Sequence, residues 1–162
     1  MDRTTPDAYR SARRVMYVGM ALTAALMLAP IVDAATVDSI ASHVRGAYPH
    51  WPERLVAEDR NAIAGWLAAV GLLGLGAWLW AIRSARAGRR SARWVGTVMF
   101  TLGLVVSLVD ASVGGGPYRQ IVPLAYGLLG LVPVAVGLVA VVLLWKPVRG
   151  RELSGSQRVM AR

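Results

Sequence analysis

Asp110 is the one acid inside a long apolar run of this chain, and Asp33 sits at the end of another. A carboxylate in hydrocarbon is costly, so its default reading is functional, as a cation ligand or a proton acceptor. Asp110 lies seventeen residues beyond Arg93, which at 1.5 Å per residue is about 25 Å of helix and reaches the far interface of a bilayer. Asp33 holds the same level on the helical face it shares with Gly19 and Thr23. Ser107 stands one turn before Asp110, and Arg119 follows in the next connection. Asp33, Asp110, Ser107 and Arg119 therefore make a candidate polar pathway, an acidic vestibule facing outward. The competing reading makes both acids interfacial, solvated or paired with Arg45, Arg60 or Arg119.

Other chemistry finds little support. His43 and His50, with Glu53 nearby, are of metal-ligating types. A proline-containing break separates them, and neither HExxH nor His-x-His spacing occurs, so no metal site is expected. The absence of cysteine excludes disulfides, thiol nucleophiles and Cys-ligated metals. No Gly-x-Ser-x-Gly elbow, phosphate-binding loop or dinucleotide fingerprint is present, so the expectation is a non-enzyme without cofactor.

The elements that must position these residues are apolar runs at 15–32, 62–82, 94–113 and 121–145. Each has about the 17–25 residues that a helix needs to cross ~30 Å of hydrocarbon. Hydrophobic residues make up 56% of the chain and charged residues 17%, against about 25% charged in soluble domains. The fold class expected is all-α, a four-transmembrane-helix bundle. Residues 1–14 form a polar N-terminal segment, 15–146 the membrane domain and 147–162 a flexible tail.

The net charge is +9, and its placement separates a membrane protein from a nucleic-acid binder. Arg3, Arg10, Arg13 and Arg14 precede the first run, and Arg83, Arg86, Arg89, Arg90 and Arg93 join the second to the third. Lys146, Arg149, Arg151, Arg158 and Arg162 follow the fourth. With four crossings all of these fall on one side, leaving Arg45, Arg54, Arg60 and Arg119 on the other. By the positive-inside rule both termini are cytoplasmic, in the cell (cytoplasmic) membrane. The expected partners are the lipid bilayer and anionic headgroups at the cytoplasmic arginines, with no nucleic acid. A competing signal-peptide reading of the first run, cleaved after Val32-Asp33-Ala34, would leave three spans. Its apolar stretch is longer than the 7–15 residues of a signal h-region.

Between the first two runs, Val37, Ile40, Ala41, Val44 and Tyr48 recur at helical spacing, which predicts a short amphipathic helix in the first extracytoplasmic connection, capped by Thr36. Tyr48-Pro49-His50-Trp51-Pro52 breaks it, and a new helix from Pro52 is expected to run straight into the second span. The first span is expected to end or kink near Pro30, and Pro133 to bend the fourth. Gly96, Gly103, Ser107, Asp110 and Gly114 fall in one angular sector of the third run. Gly130, Pro133, Gly137 and Ala140, with Tyr126 at the outer end, do so in the fourth. Small faces let helices approach closely in a membrane, which predicts a seam between these spans and offers surfaces for a homo-oligomer. Arg-Ser-Ala-Arg occurs at 10–13, 83–86 and 90–93, read as convergent basic flanks rather than duplication. The six tryptophans are read mainly as interfacial anchors.

The stretch from Thr36 to Arg45, the following Ala47-Tyr48-Pro49 and the four spans with arginine-rich inner flanks resemble small four-span integral membrane proteins of unknown function from high-GC actinobacteria. The resemblance implies a bacterial membrane protein and no catalytic residues. The function expected is that of a structural or accessory integral membrane protein. The alternative is a small transporter or channel component using the outward-facing acids Asp110 and Asp33.

Overall fold

A computed structural model describes residues 5–87 and 91–145, with side chains from residue 10 onward. The expected tail at 147–162 lies outside the described residues. Five helices follow one another: α1 (Thr5–Thr36), α2 (Ser39–Ala47), α3 (Glu53–Arg86), α4 (Ser91–Ser112) and α5 (Leu124–Trp145). Among the described residues there is no named strand, only an isolated bridge between Gly115 and Tyr118. All but α2 are long and apolar enough to cross a membrane. The surface fits that reading, since Leu73 is 76% and Leu72 61% exposed, side chains that water would penalise and lipid would not.

The boundaries depart from the sequence expectation in three places. α1 passes through Pro30 without ending there and continues to Thr36. Thr36 therefore closes α1 instead of capping α2, and its hydroxyl donates back to the Val32 carbonyl at 2.8 Å. The turn between the helices is made by Asp38, whose φ of 51° is left-handed, a conformation that aspartate visits more readily than most residues. At the other end, α1 begins at Thr5, so most of the 1–14 segment extends the first span. Pro52 lies just outside α3 in extended conformation, and Glu53 is the first helical residue. From there the helix runs unbroken for 34 residues, about 51 Å at 1.5 Å each.

The spans form a ring in which α1 lies between α3 and α5, and α4 between α5 and α3. α3 and α4 are the least closely packed neighbours of that ring, although a short connection joins them. The expected glycine seam appears between α4 and α5. A Cβ on Gly127 would lie 2.9 Å from the Ala111 Cα, and Gly96 faces Leu144. The Ser107 hydroxyl crosses the seam to donate to the Gly130 carbonyl at 3.3 Å.

Burial is concentrated at the two ends. At the arginine-rich end Ala12 and Met16 of α1, Ala81, Ile82 and Ala85 of α3, and Ala140 and Leu144 of α5 form one cluster. At the opposite, capped end Ile40, Ala41 and Val44 of α2 pack on Val56 and Ile63 of α3, with Tyr48, Trp51, Tyr118 and Tyr126 around them. Between Ile63 and Ala81 no residue of α3 is buried, nor any described residue of α4 beyond Gly96. The bundle is tight at both ends. At the waist it stays closed where α5 is buried at Pro133 and Gly137 and where Gly71 of α3 meets Met27 of α1, but it opens between α3 and α4.

Candidate functional site

The capped end holds most of the polar chemistry noted in the sequence, and the fold uses it for itself. Asp33 accepts from the backbone N–H of Ile40 at 3.3 Å, so a carboxylate on α1 satisfies a donor in the first turn of α2, where a free N–H needs a partner. Asp38 pairs with Arg60 of α3 at 3.3 Å, and Arg45 with Glu53 at 2.9 Å. The Arg45 guanidinium holds the Glu53 carboxyl below the usual carboxylate range by hydrogen bond and charge. His43 meets the Gln120 carbonyl at 2.8 Å through Nε2 and stacks on Tyr118. The Tyr118 hydroxyl donates to Asp59. Burial, then the hydrogen bond to Asp59, push that phenol above its ordinary range. Tyr48 stacks on Trp51 and meets Tyr118 edge-on. The turn at 114–118 is tight enough that a Cβ on Gly114 would lie 2.6 Å from the Arg119 carbonyl oxygen.

The four pathway residues do not form one vestibule. Asp33 lines a cavity of about 250 Å³ between α1 and α3, with Pro30, Asp38, Arg60 and Asn61. Asp110 and Ser107 line a different and larger one of about 740 Å³. Arg119 lines neither of these two. The pairings of Asp33 with Arg45, Arg60 or Arg119 are not formed either: Arg60 goes to Asp38 and Arg45 to Glu53.

The larger cavity occupies the open waist. Its wall follows α4 from Gly96 through Gly103 to Asp110, fourteen residues or about 21 Å of helix, and is completed by α3, α5 and part of α1. Leu72, Leu73 and Leu102, all more than half exposed, are among its lining residues. They mark an opening sideways between α3 and α4, toward lipid. Small residues of the expected seam also hollow this space: Gly103, Gly130 and Gly137 line it, together with Gly76 of α3.

Asp110 stands at the capped end of this groove. Its Oδ1 accepts from the Trp66 indole N–H at 2.9 Å, and its Oδ2 meets no donor among the described residues. It has no ion pair among them, and no arginine, lysine or histidine lines the groove. Tyr126 and Trp66 share that end, while Trp78 lies deeper and donates to Thr23 at 3.0 Å. Trp66 and Trp78 are the site residues that the sequence reading passed over as anchors. An available signal was the count from the arginine-rich connection that the two spans share: Trp66 lies twenty residues before Arg86 and Asp110 nineteen after Ser91, which sets them level when the spans are antiparallel.

No protein-family model, curated protein or solved structure matches this chain.

Proposed function

We propose that this protein is a non-enzymatic, accessory component of the bacterial cytoplasmic membrane that holds an apolar molecule from the bilayer in the groove between α3 and α4. Both termini are cytoplasmic and the capped end faces outside. The carrying observation is the waist itself: a lipid-side opening of about 740 Å³, within the ~300–1,000 Å³ range of ligand pockets, between two ends that are well packed. An empty space of that size would forfeit the dispersion contacts of every side chain lining it, so a molecule of the surrounding bilayer gains by filling it.

A spin-labelled long-chain alcohol in nanodiscs tests this reading. The expected result is an immobilised fraction that saturates with wild-type protein and is lost in Gly76→Leu and Gly103→Leu. A Cβ at either position meets no close neighbour, the nearest being Val134 at 3.9 Å from Gly103, so leucine enters the groove without breaking the bundle. Equal immobilisation by wild type and both variants would refute the proposal. Transport is the second reading, favoured by the partly buried Asp110 in the groove, and it involves that acid without Asp33. It requires water to reach positions 107 and 110.

A further inference from the structure

We infer that the molecule held in this groove is a monocationic amphiphile, with its ammonium group against Asp110 and its apolar tail along α4 toward Gly96. This rests on the groove-binding reading above and adds the chemistry of the occupant.

The charge pattern of the lining selects the head. One carboxylate stands at one end, with no base anywhere in the groove. At the end of an otherwise apolar groove, a carboxylate with no base beside it is complemented by a cation. Trp66 strengthens the selection, because its indole N–H holds Oδ1 while its half-exposed ring offers a π face at the same level. Oδ2 remains for the ligand. A phospholipid headgroup fits less well, since its phosphate would enter beside Asp110 without a basic partner.

The shape selects the tail. From Asp110 to Gly96 the wall is lined by Val106, Gly103, Leu102, Phe100 and Met99 on α4. Apart from Ser107 that lining is apolar, and it follows α4 along its length, the direction an acyl chain takes beside a spanning helix. A second copy of this chain is a poorer occupant. Two copies inserted in the same direction and related by a two-fold axis bring both Asp110 side chains to the same depth at the joint, where like charges repel.

The experiment uses three probes with the same twelve-carbon tail, dodecyltrimethylammonium, dodecanol and dodecyl sulfate, titrated calorimetrically into the full chain in nanodiscs. The variants are Asp110→Asn and Gly103→Leu. Asparagine still accepts the Trp66 N–H and removes only the charge, so the fold is retained. The expected result is that the ammonium binds most tightly and that Asp110→Asn weakens it on the order of tenfold, leaving the alcohol unchanged. Gly103→Leu abolishes binding of ammonium and alcohol alike. If all three probes bind equally and Asp110→Asn changes none, the cationic head is refuted while the groove stands. If no probe distinguishes wild type from Gly103→Leu, the groove reading falls with it. A cysteine at position 102 that crosslinks quantitatively to its counterpart in a second copy, in the probe's presence, would assign the groove to a dimer and overturn the proposal.

Discussion

At the level of single residues, the acids named in the sequence divide into those held by partners at the capped end and Asp110, which stands in the larger groove with no basic partner among the described residues. Asp33, Asp38, Asp59, Glu53 and His43 each have a partner that closes a corner of the capped end. Their residue types were visible in the sequence, but their partners were not. Asp33 caps a helix through a backbone N–H seven residues on, which no charge-pairing argument would propose. Asp110 was legible as the lone acid of its run, yet its company of Trp66 and an apolar groove was not, because Trp66 lies 44 residues away. Tyr118 carries a pH prediction. Its pKa is raised, chiefly by burial and then by Asp59, so its stabilising contribution is complete below the ordinary phenol pKa of about 10. That contribution is lost as pH rises beyond this value toward the folded pKa. Thermal melts followed by far-UV circular dichroism from pH 8 to 11.5 should show the wild type losing stability faster than Tyr118→Phe. Parallel pH dependences for the two would contradict the assignment.

At the level of helices, small residues do two different things that sequence spacing alone cannot separate. Gly127 sits where α4 and α5 touch, its missing Cβ 2.9 Å from the Ala111 Cα, while a Cβ on Gly65 would meet nothing within 4 Å. Gly127→Ala should therefore cost about 1–3 kcal/mol, as overpacking of a close contact does. Gly65→Ala should be neutral or gain up to about 1 kcal/mol from helix propensity. Reversible unfolding in mixed detergent measures both, and a Gly127→Ala protein as stable as wild type would remove the seam from the account. The Arg-Ser-Ala-Arg repeats also gain a structural meaning. Ala12, Ala85 and Ala92, the third residue of each copy, are all buried, at 0%, 4% and 1% exposure. The repeat places a small contact residue among basic neighbours where helices converge. At that same end Arg86 donates to the Tyr17 hydroxyl, and the Arg93 guanidinium lies over the Trp145 ring at 5.8 Å.

At the level of the whole molecule, the orientation we propose from arginine placement can be tested directly, because the chain contains no cysteine. Single cysteines at 43 and 119 should react with a membrane-impermeant maleimide added to intact cells, and one at 86 only after the cells are opened. Labelling at 86 from outside would reverse the topology, and with it the leaflet from which the groove draws its occupant.

The number of spans, their approximate limits and the separation of basic ends from an acidic connection were determined by the sequence alone. Those properties depend on run length and on the cost of carrying charge through hydrocarbon, which each segment meets independently of its neighbours. The passage of α1 through Pro30, the division of Asp33 and Asp110 between two cavities and the open waist were decided only by tertiary structure. They depend on which helix faces which, a choice set by the summed packing of all the spans: the ring closes tightly along α4 and α5 and leaves α3 and α4 apart.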